Sequence, residues 1–253
     1  DFMLVAVTGS VGKTSTRHII AHVLAHRFRV HQSPKNFNNQ IGVPLTLLSA
    51  RVDTEVVIAE LGANRPGEIA YLSEIVQPDI ALVNNVRPVH LEGFENIDNI
   101  TKEKLSIAAG LRPAGLMIIN HELLSAFTKT ENVCWVMTFG RSPQASITAN
   151  DVEYSPTGTT FTLDGTQMKL PLLGPGNLDN ALAAWTVCRR LGISITEFSR
   201  ALVSLPAVAM RAELLRLDGI TVINDCYNAS PASMANALNI LASLAADTDS
   251  RKV

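Results

Sequence analysis

"TGSVGKTS", residues Thr8–Ser15, is the stretch that decides the fold, because of the elements on either side of it. The apolar run Phe2–Val7 comes before it and is typical of a buried strand. Thr14–His26 comes after it and carries its apolar residues at the spacing of one helical face. A strand, a glycine-containing turn and a helix in this order are typical of the first unit of a parallel α/β sheet.

The glycine turn has the composition of a phosphate-binding loop. Backbone N–H groups of such a turn, together with the N-terminus of the helix after it, can hold phosphate oxygens. Lys13 would place its ammonium on the β- and γ-phosphates of a nucleotide, and the Thr14 hydroxyl would coordinate Mg²⁺. Val7 stands where the common eight-residue pattern has glycine. The alternative is an ordinary strand-to-helix turn with a solvated lysine.

Strand-like and helix-like patterns alternate through the first half of the chain, which favours a doubly wound, mostly parallel α/β sheet with helices on both faces. The strands predicted beyond the loop are Glu55–Ala59, Ile80–Val83, Leu116–Ile119 and Val133–Phe139. From Ile147 to Leu173, apolar and polar residues alternate around turns such as Asp164-Gly165, which predicts a small antiparallel β addition. Two predicted helices follow, at Leu178–Leu191 and Thr196–Leu205.

A domain boundary is predicted near Ala207–Arg211. Residues 1–207 would form a central domain, and residues 208–253 would form the truncated start of a Rossmann-like domain. That second part contains a predicted strand, Ile220–Asn224, and a predicted helix, Pro231–Leu244. Because the chain begins inside an apolar run without Met and stops where a further strand is about to begin, we expect a fragment of a larger protein.

Composition excludes several classes of protein. With 253 residues, 47% of them hydrophobic, the chain can bury one sizeable core and begin a second. The net charge of −2 is well mixed and leaves no basic stripe, so we expect no nucleic-acid partner. No apolar stretch approaches the roughly 20 residues that span a bilayer, so we expect no membrane partner. Three widely separated cysteines suit neither a disulfide framework nor zinc, which indicates the reducing cytoplasm.

Two polar residues follow predicted strands, at positions where parallel sheets present ligand-binding groups. Glu60 comes directly after the run Glu55–Ala59 and is a candidate metal ligand; a surface or helix-capping carboxylate is the alternative. His90 follows the strand Ile80–Val83 and could also face a nucleotide, although a lone histidine is more often structural.

Five segments of the sequence resemble Mur ligases and occur in the order seen in that family. They are Thr8–Ser15, Asn36–Pro44 (NFNNQIGVP), Glu60–Asn64 (ELGAN), His90–Phe94 (HLEGF) and Asp225–Ala229 (DCYNA). The resemblance covers nearly the whole chain. Within the family, the runs NNQIGVP and YNASP are most similar to the branch that adds D-alanyl-D-alanine.

The resemblance implies an ATP-dependent ligase of peptidoglycan precursor synthesis. Such an enzyme joins D-alanyl-D-alanine to UDP-N-acetylmuramoyl-tripeptide through an acyl phosphate. The implied cofactors are ATP and Mg²⁺, and the implied partners are the UDP-linked muramoyl peptide and D-alanyl-D-alanine. We further expect a monomeric, cytoplasmic enzyme.

The resemblance also implies roles for individual residues. Nucleotide-binding positions of the family match Gly9, Ser10, Val11, Gly12, Lys13, Thr14, Ser15, Asn177, Asn180, Arg211, Asp225 and Asn228. Metal-holding positions match Thr14, Glu60, His90 and Lys104, and catalytic positions match Lys13, Glu60, His90 and Lys104. Lys104 stands where the family carries a lysine converted to a carbamate, which is an anionic metal ligand; a solvated helix lysine is the alternative. Asn38 and Asn39 match a segment near the acceptor substrate.

The sequence departs from the family pattern at three places. Gly176 stands where the family usually has histidine before the asparagine, Ala209-Met210 replaces Pro-Gly before the arginine, and Leu105-Ser106 replaces Gly-Glu. Two alternatives stay open: another Mur or folylpolyglutamate-type ligase, or a degenerate nucleotide-binding homologue without ligase activity. A generic kinase or GTPase is disfavoured, because the sequence has no guanine-reading Asn-Lys-x-Asp motif.

Overall fold

The computed structural model describes residues 2–89, 91–129, 133–218 and 220–244. Helices and parallel strands alternate through its first part. In chain order they are β1 Met3–Thr8, α1 Lys13–Leu24, β2 Val30–Gln32, α2 Gly42–Leu48, β3 Val56–Glu60, α3 Glu68–Val76, β4 Ile80–Val83, α4 Leu91–Phe94, α5 Ile97–Leu105, β5 Gly115–Asn120 and β6 Val133–Phe139. His90, a predicted metal ligand, lies outside the described residues.

The six strands form one parallel sheet in the order β2-β3-β1-β4-β5-β6, so the predicted mostly parallel sheet is confirmed. β1 lies between β3 and β4, with Val7 opposite Glu60 and Thr8 opposite Val83. Because the strands run in the same direction, the segments that follow β1, β3 and β4 emerge at one edge of the sheet. That edge carries the glycine turn.

The sheet is buried on both faces, since successive side chains of a strand point to opposite sides. In β1, Val5 and Val7 pack into the core that contains the apolar face of α1. Leu4 and Ala6 pack on the other face, in the core that contains the apolar residues of α3. This two-sided burial explains why the strands read as continuous apolar runs.

A second sheet and two helices follow β6. They are β7 Asn150–Ser155, β8 Gly158–Leu163, β9 Thr166–Leu170, α6 Pro175–Arg190 and α7 Ile195–Val203. The predicted hairpins form a three-stranded antiparallel sheet of their own rather than new strands of the parallel sheet. The reason is packing, because Phe161 and Leu163 are buried in the same core as α1 and α6, so this sheet covers helices.

The last described part contains the antiparallel pair β10 Glu213–Leu217 and β11 Ile220–Asn224, followed by α8 Pro231–Leu244. The sequence predicted β11 and α8 but not β10. Ser230 caps α8, accepting a hydrogen bond from Ser233 N at 3.2 Å. The domain division at residue 207 stays a prediction. Within the described ranges, no helix combines the length and the apolar character needed to cross a bilayer.

Candidate nucleotide and metal site

The glycine turn opens α1 without any side-chain cap. Gly12 is the N-cap residue, with φ 82° and ψ 0°, a left-handed conformation that glycine adopts without strain. A Cβ atom there would lie 2.3 Å from Asn180 Oδ1 and 2.7 Å from Asn84 Nδ2. Because no side chain caps the helix, the first N–H groups of α1 are available to an anion, and the positive end of the helix dipole favours one.

In the present conformation the turn satisfies several of its own donors. Ser10 N donates to Asn85 O at 3.0 Å, and Val11 N donates to Asn85 Oδ1 at 3.0 Å. Lys13 Nζ donates to Gly9 O at 2.9 Å. Burial lowers the pKa of Lys13, and the charge of Glu60 partly offsets that effect. A bound phosphate would therefore compete with neutral acceptors of the protein for the same donors.

Glu60, at the end of β3, is 2% exposed and is held by three side chains. Its Oε2 accepts hydrogen bonds from Thr14 Oγ1 at 2.9 Å and from Arg17 Nε at 3.2 Å. Its Oε1 accepts one from Asn38 Nδ2 at 3.0 Å. The alternative of a surface carboxylate is therefore wrong, because Glu60 is buried, and a helix-capping role is wrong because its carboxylate accepts from side chains rather than from helix N–H groups.

The donor set at this point fits magnesium. The Thr14 hydroxyl and the Glu60 carboxylate are oxygen ligands, which Mg²⁺ prefers, and they already lie 2.9 Å apart. Among the described residues, no group of three or more His, Cys, Asp or Glu side chains could hold a metal by itself. Magnesium commonly binds through one or two protein ligands together with water and substrate phosphates, so two protein oxygens beside a phosphate loop suffice.

Lys104, on α5, is 3% exposed, so the alternative of a solvated helix lysine is wrong. Its Nζ lies 5.9 Å from the centroid of the Phe94 ring. Burial, together with the nearby charge of Lys13, lowers the pKa of Lys104 to about 7. Near neutral pH about half of an amine with this pKa is unprotonated, and the unprotonated form can add carbon dioxide to give a carbamate.

The two asparagines predicted near the acceptor have different surroundings. Asn38 reaches Glu60, as described above, and its backbone carbonyl accepts from Gly62 N at 2.7 Å. Asn39 instead uses its side-chain oxygen to accept from Ile41 N at 3.1 Å and Gly42 N at 2.9 Å, which secures the start of α2. Only Asn38 has a side chain that takes part in the cluster around Glu60.

Asn180 lies directly beneath the turn. Its Oδ1 accepts from Asn84 Nδ2 at 2.7 Å and from Thr16 Oγ1 at 3.1 Å, and its Nδ2 donates to Asn177 Oδ1 at 3.0 Å. The structure therefore brings Asn180 to the glycine turn, and Asn177 lies beside Asn180. Asn84 Oδ1, by contrast, is buried and has no hydrogen-bond partner among the described residues.

The three positions predicted in the C-terminal part differ in their relation to the turn. The charge of Arg211 is near enough to Lys13 to lower the pKa of Lys13, and its guanidinium stacks on Tyr227 at 4.1 Å. Asp225 Oδ1 accepts from Ala212 N at 2.9 Å, beside Arg211. Asn228 is exposed, and its side-chain oxygen accepts from the next backbone N–H. Of these three residues, Arg211 is thus the one for which a charge effect on the turn is described.

Sequence reasoning missed three residues that hold this site together. Arg17 pairs with Glu60, and Asn84 and Asn85 secure the turn. The position of Asn84-Asn85 at the end of a predicted strand was a usable signal for the two asparagines. Arg17 gave no such signal, because a basic residue in an amphipathic helix is usually solvated.

Comparison with known proteins supports a family assignment. The family model described as "Mur ligase middle domain" matches residues 7–188. The chain is 37% identical over 247 residues to the UDP-N-acetylmuramoyl-tripeptide--D-alanyl-D-alanine ligase of Bacillus subtilis, with 95% of this chain and 53% of that protein covered. It is 34% identical over 255 residues to the ligase of the same name from Escherichia coli, with 95% and 55% covered. The chain thus spans about half the length of the curated relatives it matches.

Solved structures give the same result. The chain superposes on MurF from Acinetobacter baumannii with a TM-score of 0.88 and 30% identity, covering 96% of this chain and 54% of that one. MurF ligase from Thermotoga maritima, solved in complex with ADP, matches with a TM-score of 0.87 and 28% identity, covering 96% and 57%. The family model covers well over half of the residues. Four of the five segments that resemble Mur ligases, those between residues 8 and 94, fall within it. This chain therefore belongs to the Mur ligase family.

Proposed function

We propose that the protein is a MurF-type ligase that forms an amide bond at the expense of ATP, joining D-alanyl-D-alanine to UDP-N-acetylmuramoyl-tripeptide in peptidoglycan precursor synthesis. The observation that carries the proposal is the position of the Thr14 and Glu60 oxygens beside an uncapped helix N-terminus and Lys13. This arrangement suits a magnesium-bound nucleotide, and the identity of 37% to a UDP-N-acetylmuramoyl-tripeptide--D-alanyl-D-alanine ligase supports the choice of reaction.

The proposed reaction has two steps. A terminal carboxylate oxygen of the tripeptide attacks the γ-phosphorus of ATP, forming an acyl phosphate as the bond to the ADP oxygen breaks. The amine of D-alanyl-D-alanine then attacks the acyl carbon, an amide C–N bond forms, and inorganic phosphate leaves as the amine loses a proton. Activation is needed because a carboxylate is a poor electrophile in water.

This chain contributes mainly position and charge to those steps. Lys13 moves from Gly9 O to the terminal phosphates, and the first N–H groups of α1 hold the phosphate oxygens. Thr14 and Glu60 would hold Mg²⁺, with His90 and a carbamate on Lys104 as further ligands. When bound, magnesium neutralises charge on the phosphoryl oxygens.

The other residues of the site take the remaining roles. Asn38 and Asn39 lie on the acceptor side, and the adenosine side is formed by Asn177, Asn180, Arg211, Asp225 and Asn228. Residues 1–207 act as the central domain and residues 208–253 as the start of the next one. The enzyme works as a monomer in the cytoplasm, with no nucleic-acid or membrane partner.

Phosphate release from ATP by the full-length protein tests this proposal. UDP-N-acetylmuramoyl-tripeptide is supplied with D-alanyl-D-alanine, D-alanine or L-glutamate in parallel, and release is expected with D-alanyl-D-alanine. Lys13→Ala is the loss-of-function variant. It should lose about 100-fold or more of the rate while keeping the wild-type circular dichroism. Release with a folate and L-glutamate instead would favour the folylpolyglutamate alternative, and no release with any pair would favour the degenerate homologue.

A further inference from the structure

Arg17 is a buried arginine on the second turn of α1, and it joins two parts of the site. It is 6% exposed. Its Nε is 3.2 Å from Glu60 Oε2, an ion pair in which both side chains are almost fully removed from water. The remaining guanidinium donors go to a different segment: to Gln32 Oε1 at 2.6 Å, to the Ser33 carbonyl, and to the Lys35 carbonyl at 3.4 Å.

These contacts fix the guanidinium on one side and the carboxylate on the other. Two backbone carbonyls and one amide oxygen accept from the terminal nitrogens of the guanidinium, which leaves its Nε directed at Glu60. The Glu60 carboxylate is then secured from three directions, by Arg17 and Thr14 at Oε2 and by Asn38 at Oε1. Glu60 N also donates to Ser33 Oγ at 3.0 Å, so the segment after β2 supports both partners.

We propose that Arg17 is a positioning residue of the magnesium–nucleotide site, one that keeps the Glu60 carboxylate beside Thr14 by anchoring it to the segment after β2. The inference rests on the proposed function, since it concerns how Glu60 serves a magnesium-bound nucleotide. Partners that orient a metal ligand commonly contribute about 10-fold to 100-fold to metal affinity. Arg17 itself touches neither metal nor phosphate in this role.

A purely electrostatic role makes the opposite prediction. The guanidinium is a cation beside a cation site, so if charge alone mattered, removing Arg17 would strengthen magnesium binding. If position matters more, removing it frees the carboxylate to rotate away from Thr14, and magnesium binding weakens. The sign of the change therefore separates the two explanations.

The experiment measures the affinity of the full-length protein for a non-hydrolysable ATP analogue by calorimetry, once with Mg²⁺ and once with EDTA. The ratio of the two affinities is the magnesium enhancement. For Arg17→Met we expect the enhancement to fall by about 10-fold or more, with little change in EDTA. Circular dichroism and the melting temperature establish that the variant is folded.

Two further variants make the result specific. Arg29→Met is the matched control, because it removes an arginine that pairs with Glu55 at 3.3 Å but is 60% exposed; its enhancement should equal that of the wild type. Arg17→Lys keeps the charge but cannot reach Glu60 and the two carbonyls at once, so we expect an intermediate enhancement. If Arg17→Met does not fold, Arg17→Lys decides alone.

An enhancement that is unchanged or larger in Arg17→Met, or fully restored in Arg17→Lys, overturns the inference. Equal losses of affinity with Mg²⁺ and with EDTA also overturn it, because they indicate a general structural role. If the wild type fails to bind the analogue even with Mg²⁺, the proposed function falls and the inference with it. If the wild type binds the analogue and the magnesium enhancement of Arg17→Met equals that of the wild type, the inference is wrong but the proposed function stands.

Discussion

Thr14 Oγ1 lies 2.9 Å from Glu60 Oε2, although the two residues are 46 positions apart in the sequence. The contact forms because Thr14 is in the first turn of α1 and Glu60 is the last residue of the neighbouring strand β3. Both oxygens thus converge at the carboxyl edge of the sheet, beside the glycine turn. The proposed magnesium ion would therefore find these two oxygen ligands side by side.

Glu60→Gln tests how much the carboxylate charge contributes to the stability of the folded protein. The amide keeps the size of the side chain, but the buried Arg17 loses its counter-charge, so we expect the free energy of unfolding to fall by about 3 kcal/mol. Urea denaturation measures this change. Glu55→Gln is the control, because its ion pair with Arg29 is exposed and should be worth less than about 1 kcal/mol. Equal stability of the two variants would contradict the prediction.

Gly12→Ala is expected to destabilise the protein and to abolish nucleotide binding. The left-handed backbone disfavours alanine, and the new Cβ would lie 2.3 Å from Asn180 Oδ1. Gly165→Ala separates the backbone strain from the steric clash. Gly165 has φ 76°, but no atom lies within 4 Å of an added Cβ. Gly165→Ala should cost about 1 kcal/mol from the backbone alone. Thermal denaturation of both variants should show a clearly larger loss for Gly12→Ala, and similar losses would show that the close approach to Asn180 is unimportant.

Lys104 should make stability depend on pH. Its pKa is about 7 in the folded protein and 10.5 is its ordinary value, so between these pH values the unfolded chain binds a proton that the folded protein lacks. Burial of the ammonium lowers the free energy of unfolding by its full amount below about pH 7, and this destabilisation disappears as the pH rises toward 10.5. Lys104→Met should therefore be most stabilising, relative to the wild type, below pH 7. Its advantage should shrink at higher pH by up to about 1.4 kcal/mol per pH unit.

Urea denaturation of wild type and variant from pH 6 to pH 9 measures that difference. Lys102→Met, an exposed position on the same helix, should show a difference that does not vary with pH in this range. A flat profile for Lys104→Met as well would mean that Lys104 is protonated when folded.

A carbamate on Lys104 predicts chemical rescue. Lys104→Ala should reduce ATP-dependent phosphate release, and added short carboxylic acids should restore part of it by supplying the missing anionic oxygens. Lys102→Ala should lose little activity and gain nothing from the acids. Carbon-13 NMR of wild type in labelled bicarbonate should show a carbamate signal that Lys104→Ala lacks. Absence of both rescue and signal would leave Lys104 as an unmodified amine.

Sequence alone determined the features that depend on near neighbours. The turn Thr8–Ser15 between an apolar run and an amphipathic run predicted β1, the glycine turn and α1, because each pattern is complete within a few residues. The other predicted parallel strands were confirmed for the same reason. β10 was missed because Glu213–Leu217 lacks a clear alternation of apolar and polar residues, and its partner β11 decides its conformation.

Only the tertiary structure decided which distant residues meet. The sequence could not show that Arg17 pairs with Glu60, that Asn180 lies beneath Gly12, or that Lys104 is buried. Pairing and burial are set by how separate elements pack against one another, and no local pattern records which element will cover a given side chain. The sequence pattern around a helix lysine is the same whether its side chain is in solvent or packed against a ring such as Phe94. Its pKa, and so its chemistry, differs between these two environments.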